Sequence, residues 1–201
     1  MVQVNKIMLA LLLAAATLAG CAKLPLQRTT KYNPKALDRR QGVDCWTFIN
    51  SNANLATMRE AVEICGMQDY YSEKGGYTYL LLDETAFSSY VLKSLNVQDI
   101  GDAPVDRLRD ILLFHIIKGE YDSYNGALGY DPVFVITLWN NVDAVMTVKL
   151  YNDDSKSRTV QDKVTFMDQC GSSTSFRATT SDLLMTNGPA HILSRQCVYV
   201  K

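Results

Sequence analysis

The sequence predicts an α+β domain, helical in its first half and strand-rich in its second, and three observations carry that reading. Between Asp44 and Gly119, apolar residues recur at the three- and four-residue spacing of a helix face. From Val133 onward they fall instead in short β-branched and aromatic runs separated by polar turns. Helices followed by strands, rather than alternating with them, argue against a parallel doubly wound sheet.

Each element has its own local signal. Residues 44–49 suit a short helix or turn, with Trp46 and Ile49 turned inward. Leu55, Met58, Val62 and Cys65 share a helix face, and Gly66 follows where a left-handed cap is expected. Gly75-Gly76 break the chain before the apolar run 77–82, which has the length and aromatic content of a buried strand. Asp83-Glu84 can cap the next helix, whose apolar face is Ala86, Phe87, Tyr90, Val91 and Leu95. Asp102 and Pro104 start another, predicted to carry Val105, Leu108, Ile111, Leu112, His115 and Ile116 before stopping at Gly119. Residues 133–139 and 143–151 flank Asn140-Asn141, a pair that tolerates the positive φ of a tight hairpin. After a polar loop at 152–157, further strands are predicted at 163–167, 175–178, 191–193 and 197–200.

Composition bounds the function. The chain has 201 residues, 47% apolar and 20% charged, with a formal net charge of −1. Such a balance excludes a disordered or fibrous protein and supplies no electrostatic footprint for nucleic acid. His115 and His191 are the two histidines of the chain, far apart and without His-x-x-x-His or Cys-x-x-Cys spacing, so no metal site is expected. No serine stands in Gly-x-Ser-x-Gly, and the acids of Asp153-Asp154 lack the spacing of a calcium loop. The reading is a protein that is not an enzyme, with no catalytic residues and no cofactor.

The N-terminus is set apart from the fold. Lys6 precedes an apolar run over residues 7–19, too short to span a bilayer and suited to a secretory signal. Leu18-Ala19-Gly20-Cys21 resembles the lipobox of bacterial lipoproteins, which implies removal of residues 1–20 and lipidation of Cys21 by diacylglycerol and an N-acyl chain such as palmitate. More than one acyl chain makes a firm anchor. Ala22 stands where some bacterial lipoproteins carry an inner-membrane retention Asp, so the outer membrane is the expected site. Residues 21–43, with Pro25, Pro34 and several basic side chains, read as a lipidated N-terminus and tether that is either free or packed along the domain. Residues 44–201 are the size of one domain.

Three segments of that domain resemble the fasciclin (FAS1) family. The first is Thr78-Tyr79-Leu80-Leu81-Leu82-Asp83-Glu84-Thr85-Ala86-Phe87, in which Thr78, Ala86 and Phe87 match and Leu82 replaces a usual proline. The second is 112–119, where Phe114-His115 stands for the family's Tyr-His pair. The third runs from Asp182 through Asn187, Gly188 and His191 to Leu193, without the family's final Asp. The resemblance implies a wedge of β-sheets covered by helices, and a role in adhesion or interaction within the cell envelope.

Local chemistry gives these residues roles of their own. Asn187-Gly188 is a turn signal. A buried His115 would tie its helix to neighbouring backbone, and His191 could be either exposed or satisfied inside. With Cys21 lipidated, Cys45, Cys65, Cys170 and Cys197 are candidates for disulfides in any of three pairings, the alternative being that Cys65 is a buried thiol. Two function classes follow: a membrane-anchored adhesion module with a protein or envelope ligand, and a carbohydrate-binding lipoprotein of a glycan-uptake system in which Trp46 or Trp139 stacks on sugar.

Overall fold

The computed structural model describes residues 40–73, 75–123, 126–141, 145–151, 163–168 and 176–198. The signal segment, Cys21, most of the tether, the polar loop at 152–157 and Cys170 lie outside the described residues.

Helix α1 (Cys45–Ser51) opens on Asp44, whose Oδ1 accepts the Thr47 N–H at 2.8 Å. A 3₁₀ turn (Ala53–Leu55) leads into α2 (Ala56–Cys65), which ends at Gly66 in the left-handed conformation, φ +60°, as the sequence predicts. A short α3 (Gln68–Ser72) precedes β1 (Tyr77–Leu82), buried from Thr78 onward. Asp83 then caps α4 (Glu84–Ala86), accepting the Ala86 N–H at 2.9 Å. A π-helical stretch (Phe87–Val91) continues directly into α5 (Leu92–Leu95). A 3₁₀ turn (Ile100–Asp102) and α6 (Val105–Phe114) complete the helical half.

Here the structure departs from the predicted helix end. Helix α6 stops at Phe114, and Ile116–Lys118 form strand β2, antiparallel to β1. The helical spacing continues through Ile116, but pairing of this segment with Tyr77–Tyr79 of β1 outweighs it. The first half therefore contains two strands where one is predicted.

The strand-rich half comprises β3 (Val133–Ile136), β4 (Val145–Tyr151), β5 (Lys163–Asp168), β6 (Phe176–Arg177), β7 (Thr180–Met185) and β8 (Gly188–Leu193). Two four-stranded sheets result, in the orders β2-β1-β8-β7 and β3-β4-β5-β6. All named pairings are antiparallel except β1 with β8, where Leu80 lies opposite His191. Thr137 bridges Ile117, and the Leu138 N–H donates to Ile116 O at 2.8 Å, so the sheets meet where β2 passes the end of β3. The predicted antiparallel pairing of 133–139 with 143–151 is present as β3 with β4, but β3 ends at Ile136, Thr137 pairs with β2 instead, and neither Asn140 nor Asn141 takes the positive φ of a tight turn.

Two further predictions change. Cys197 and Val198 form an irregular segment, not a strand, because the Cys197 N–H donates to the His115 ring rather than to a neighbouring strand. Strand β7 has no alternating signature because a bulge between Thr180 and Leu183 places Asp182 at φ +60°. At the other end, Arg40 bridges Leu184 in parallel and the Gln41 N–H donates to Leu184 O, so the last residues of the predicted tether run beside β7.

One apolar core joins the parts: Ile49 of α1, Met58 and Val62 of α2, Leu80–Leu82 of β1, Phe87, Leu108 and Leu112 of the helices, Leu193 of β8, and Val135, Met146 and Val148 of the second sheet. Burying each such side chain contributes about 1.5–3 kcal/mol. Cys45, Cys65 and Cys197 are also buried in it, as thiols. This corrects the expected pairing among those three. Cys45 opens α1, Cys65 closes α2 with its Sγ 3.8 Å from Val105 O, and the Cys197 N–H donates to the His115 ring.

Candidate functional site

The motif residues of the sequence come together as backbone clasps. His115, fully buried at the end of α6, donates Nδ1–H to Ile111 O at 2.7 Å and accepts the Cys197 N–H on Nε2 at 2.9 Å. Accepting a backbone N–H on Nε2 requires a bare lone pair there, which places the proton on Nδ1. Burial lowers its pKa to about 4, against the opposing effect of the Ile111 bond, so the ring is neutral at pH 7. His191 has the opposite tautomer. Its Nε2–H donates to Tyr121 O at 2.9 Å and its Nδ1 accepts the Asp182 N–H at 3.2 Å. Its pKa too is lowered by burial, although the Tyr121 bond and the carboxylates of Asp182 and Asp122 pull the other way.

His191 belongs to a wider network around residues 119–123. Thr78 Oγ1 donates to Gly119 O and accepts the Tyr121 N–H, both at 2.8 Å. The Asp182 carboxylate accepts the Ser123 N–H at 2.9 Å and Oγ–H at 2.8 Å. The chain after β2 is thereby stitched to both β1 and the bulge of β7. Although Ser123, Asp182 and His191 are neighbours, the serine donates to the carboxylate and both imidazole nitrogens are committed to backbone, so no base faces the hydroxyl.

Asn187 makes the third clasp. Its Oδ1 accepts the Cys45 N–H at 3.0 Å; its Nδ2 lies 2.8 Å from Tyr71 O, 3.1 Å from Tyr79 Oη and 3.2 Å from Glu73 O. Thus α1, α3 and β1 are held by one side chain in the β7–β8 turn. Ala86, Phe87 and Phe114 are core residues. Gly188 is required by close approach: a Cβ there would stand 2.1 Å from Tyr77 O, at φ +141°. Among the described residues no cluster of His, Cys, Asp or Glu could hold a metal ion, and no helix is long and apolar enough to cross a membrane.

A different place has the character of a binding site. A cleft of about 260 Å³ opens between α5, α6, the turn after β3 and the C-terminal segment. Its apolar surface is Ile111, Phe114, Val198 and the partly buried Trp139, whose ring meets Phe114 edge-on at 5.9 Å. Arg107 and Asp110, exposed on α6, form its charged rim. At the back, Gln196 is 5% exposed, and Cys197 is buried next to it. Arg107 Nη2–H donates to Ser94 O at 2.9 Å, and Ser94 Oγ lies 3.3 Å from Gln196 Oε1, so rim and back wall are braced on one residue.

Of the two tryptophans predicted as candidate stacking residues, Trp139 lies in this cleft and Trp46 packs partly buried against the core. Ser94, Arg107, Asp110 and Gln196 have no sequence signal, since they come from three distant segments and meet only in the fold.

No family model matches the chain, and no curated protein matches it. Among solved structures, it is similar to a FAS1 domain pair from the insect cell adhesion molecule fasciclin I, at 16% identity and a TM-score of 0.43. The match covers 76% of this chain and 43% of that one, so the chain spans less than half the length of the domain pair it resembles.

Proposed function

We propose that this chain is a non-enzymatic interaction module of fasciclin type, anchored by lipid on Cys21 to the bacterial outer membrane and binding a protein or glycan ligand through its domain surface. The observation that carries the reading is the commitment of the motif residues to architecture. His115, His191 and Asn187, the polar groups best suited to chemistry, spend their ring nitrogens and amide on buried backbone. What remains for function is surface. The lipobox-like Leu18-Ala19-Gly20-Cys21 and the apolar run before it support the anchor.

Growth of expressing bacteria with labelled palmitate, followed by membrane fractionation, tests the anchor. The wild-type chain is expected to carry label and sediment with outer membranes, and Cys21→Ser to lose both. An unlabelled wild-type chain recovered in the soluble fraction would overturn the anchoring. Protease shaving of intact cells then reports the face: digestion of the domain supports an external ligand, and protection a periplasmic one.

A further inference from the structure

We propose that the cleft at Trp139 binds one neutral sugar ring, with Trp139 as the stacking platform and Arg107, Asp110 and Gln196 as the hydroxyl-binding groups. The inference rests on the reading of the domain as a non-enzymatic binder and names what it holds.

The Gln196 side chain is almost wholly buried, and its Oε1 lies 3.3 Å from Ser94 Oγ, whose hydroxyl is also 2.8 Å from Val91 O. Its amide nitrogen makes no hydrogen bond among the described residues, yet the side chain lines the cleft. Because the side chain lines the cleft, this amide can donate to an acceptor brought into it. Arg107 lies on the same wall and donates to Ser94 O through Nη2, which leaves guanidinium N–H groups for a second acceptor. Asp110 is one turn further along α6 and only accepts.

These charges select against most ligand classes. A purely apolar molecule would cover Arg107, Asp110 and the Gln196 amide without pairing them. An anion would meet Asp110, and a cation Arg107. A neutral polyhydroxylated ring answers every group at once. Its hydroxyls donate to Asp110 and accept from Arg107 and Gln196, while its C–H face lies on Trp139 beside Phe114 and Val198. The volume of about 260 Å³ falls below that of a typical drug-sized pocket, which limits the occupant to about one ring.

The test uses the full chain in a detergent that is not a glycoside, with the methyl glycosides of glucose, galactose, mannose and N-acetylglucosamine as probes. The two indole N–H signals are followed by NMR and assigned with Trp46→Phe. Saturable movement of the Trp139 signal by at least one glycoside, with Kd on the order of 1 mM, is expected. Because Arg107 and Asp110 are exposed, Arg107→Ala and Asp110→Asn should fold as wild type and weaken binding by roughly tenfold or more. Trp139→Ala should abolish it. Absence of saturable movement with all four glycosides would overturn the proposal, as would equal binding by both rim variants, or binding of indole or toluene but no sugar. Release of free sugar from a glycoside would instead overturn the non-enzymatic reading on which the proposal rests.

Discussion

The imidazole of His115 and the backbone of Cys197 meet at 2.9 Å across 82 positions of chain, and this bond closes the C-terminal segment onto α6. The same ring holds the end of α6 through Ile111 O. His115→Ala would leave a buried N–H and C=O without partners and remove buried ring volume. A loss of about 2–4 kcal/mol is expected in urea unfolding. The cleft should suffer as well, because Gln196 precedes Cys197 directly. An unchanged midpoint would mean that the clasp contributes nothing to stability.

Acid should act on both clasps. A histidine whose folded pKa lies below its unfolded value stabilises fully above the unfolded value, near 6.5, and loses that contribution as pH falls toward the folded one. For His115 the window is therefore from about 6.5 to about 4. Protonating its Nε2 removes the acceptor for Cys197 N–H, and across this interval the loss amounts to about 3 kcal/mol. His191 shifts in the same direction and adds to the effect. Denaturant midpoints between pH 7 and pH 4 should fall with acidification, and His115→Gln should flatten part of that slope. A midpoint independent of pH over the interval would refute neutral burial of the rings.

The elements legible in the sequence are those whose signal is contained within a few residues. Asp83 caps the helix that follows it, and Gly66 ends α2, because a cap is satisfied by its own chain neighbours. Strand β2 was not legible: Ile116 continues the helical spacing of α6, and only pairing with β1 ends the helix. Strand β7 was hidden by the positive φ of Asp182, which breaks alternation at the bulge. The candidate site divides in the same way. Trp139 could be picked out as a residue type, whereas Gln196 and Arg107 gain meaning only from their shared contact with Ser94. The roles of His191 and Asn187 likewise depend on partners 70 and 116 positions away, Tyr121 and Tyr71.

The thiols offer a direct check of the core. Burial raises the pKa of Cys65 to about 11 and that of Cys45 well above its ordinary value, so neither is a thiolate at pH 8. Alkylation of the native protein at that pH should leave Cys45, Cys65 and Cys197 unmodified, and alkylation in denaturant without reductant should modify all three. Peptide mass spectrometry distinguishes the sites. A Cys45, Cys65 or Cys197 peptide found disulfide-linked would restore the pairing that the structure replaces with buried thiols.

Gly188 should be the least replaceable residue of the sheet. It sits where β8 enters beside β1, and its φ of +141° is one that side chains rarely adopt. A methyl group added there would stand 2.1 Å from Tyr77 O, a backbone atom that cannot rotate away. Moving it means parting β8 from β1 near Tyr79, where Asn187 also binds the Tyr79 hydroxyl. Strain and lost pairing together should make Gly188→Ala destabilising by more than about 4 kcal/mol, near the whole stability of a small domain. Gly66→Ala is the control. Its φ is also positive, but nothing lies within 4 Å of its added Cβ, so only the conformational penalty of about 1 kcal/mol applies. Circular dichroism melts of the two variants should therefore separate widely, with Gly188→Ala recovered unfolded or aggregated and Gly66→Ala folded. Equal melting of the pair would show that β8 can retreat from Tyr77, and that the tight β1–β8 contact is not what makes glycine necessary.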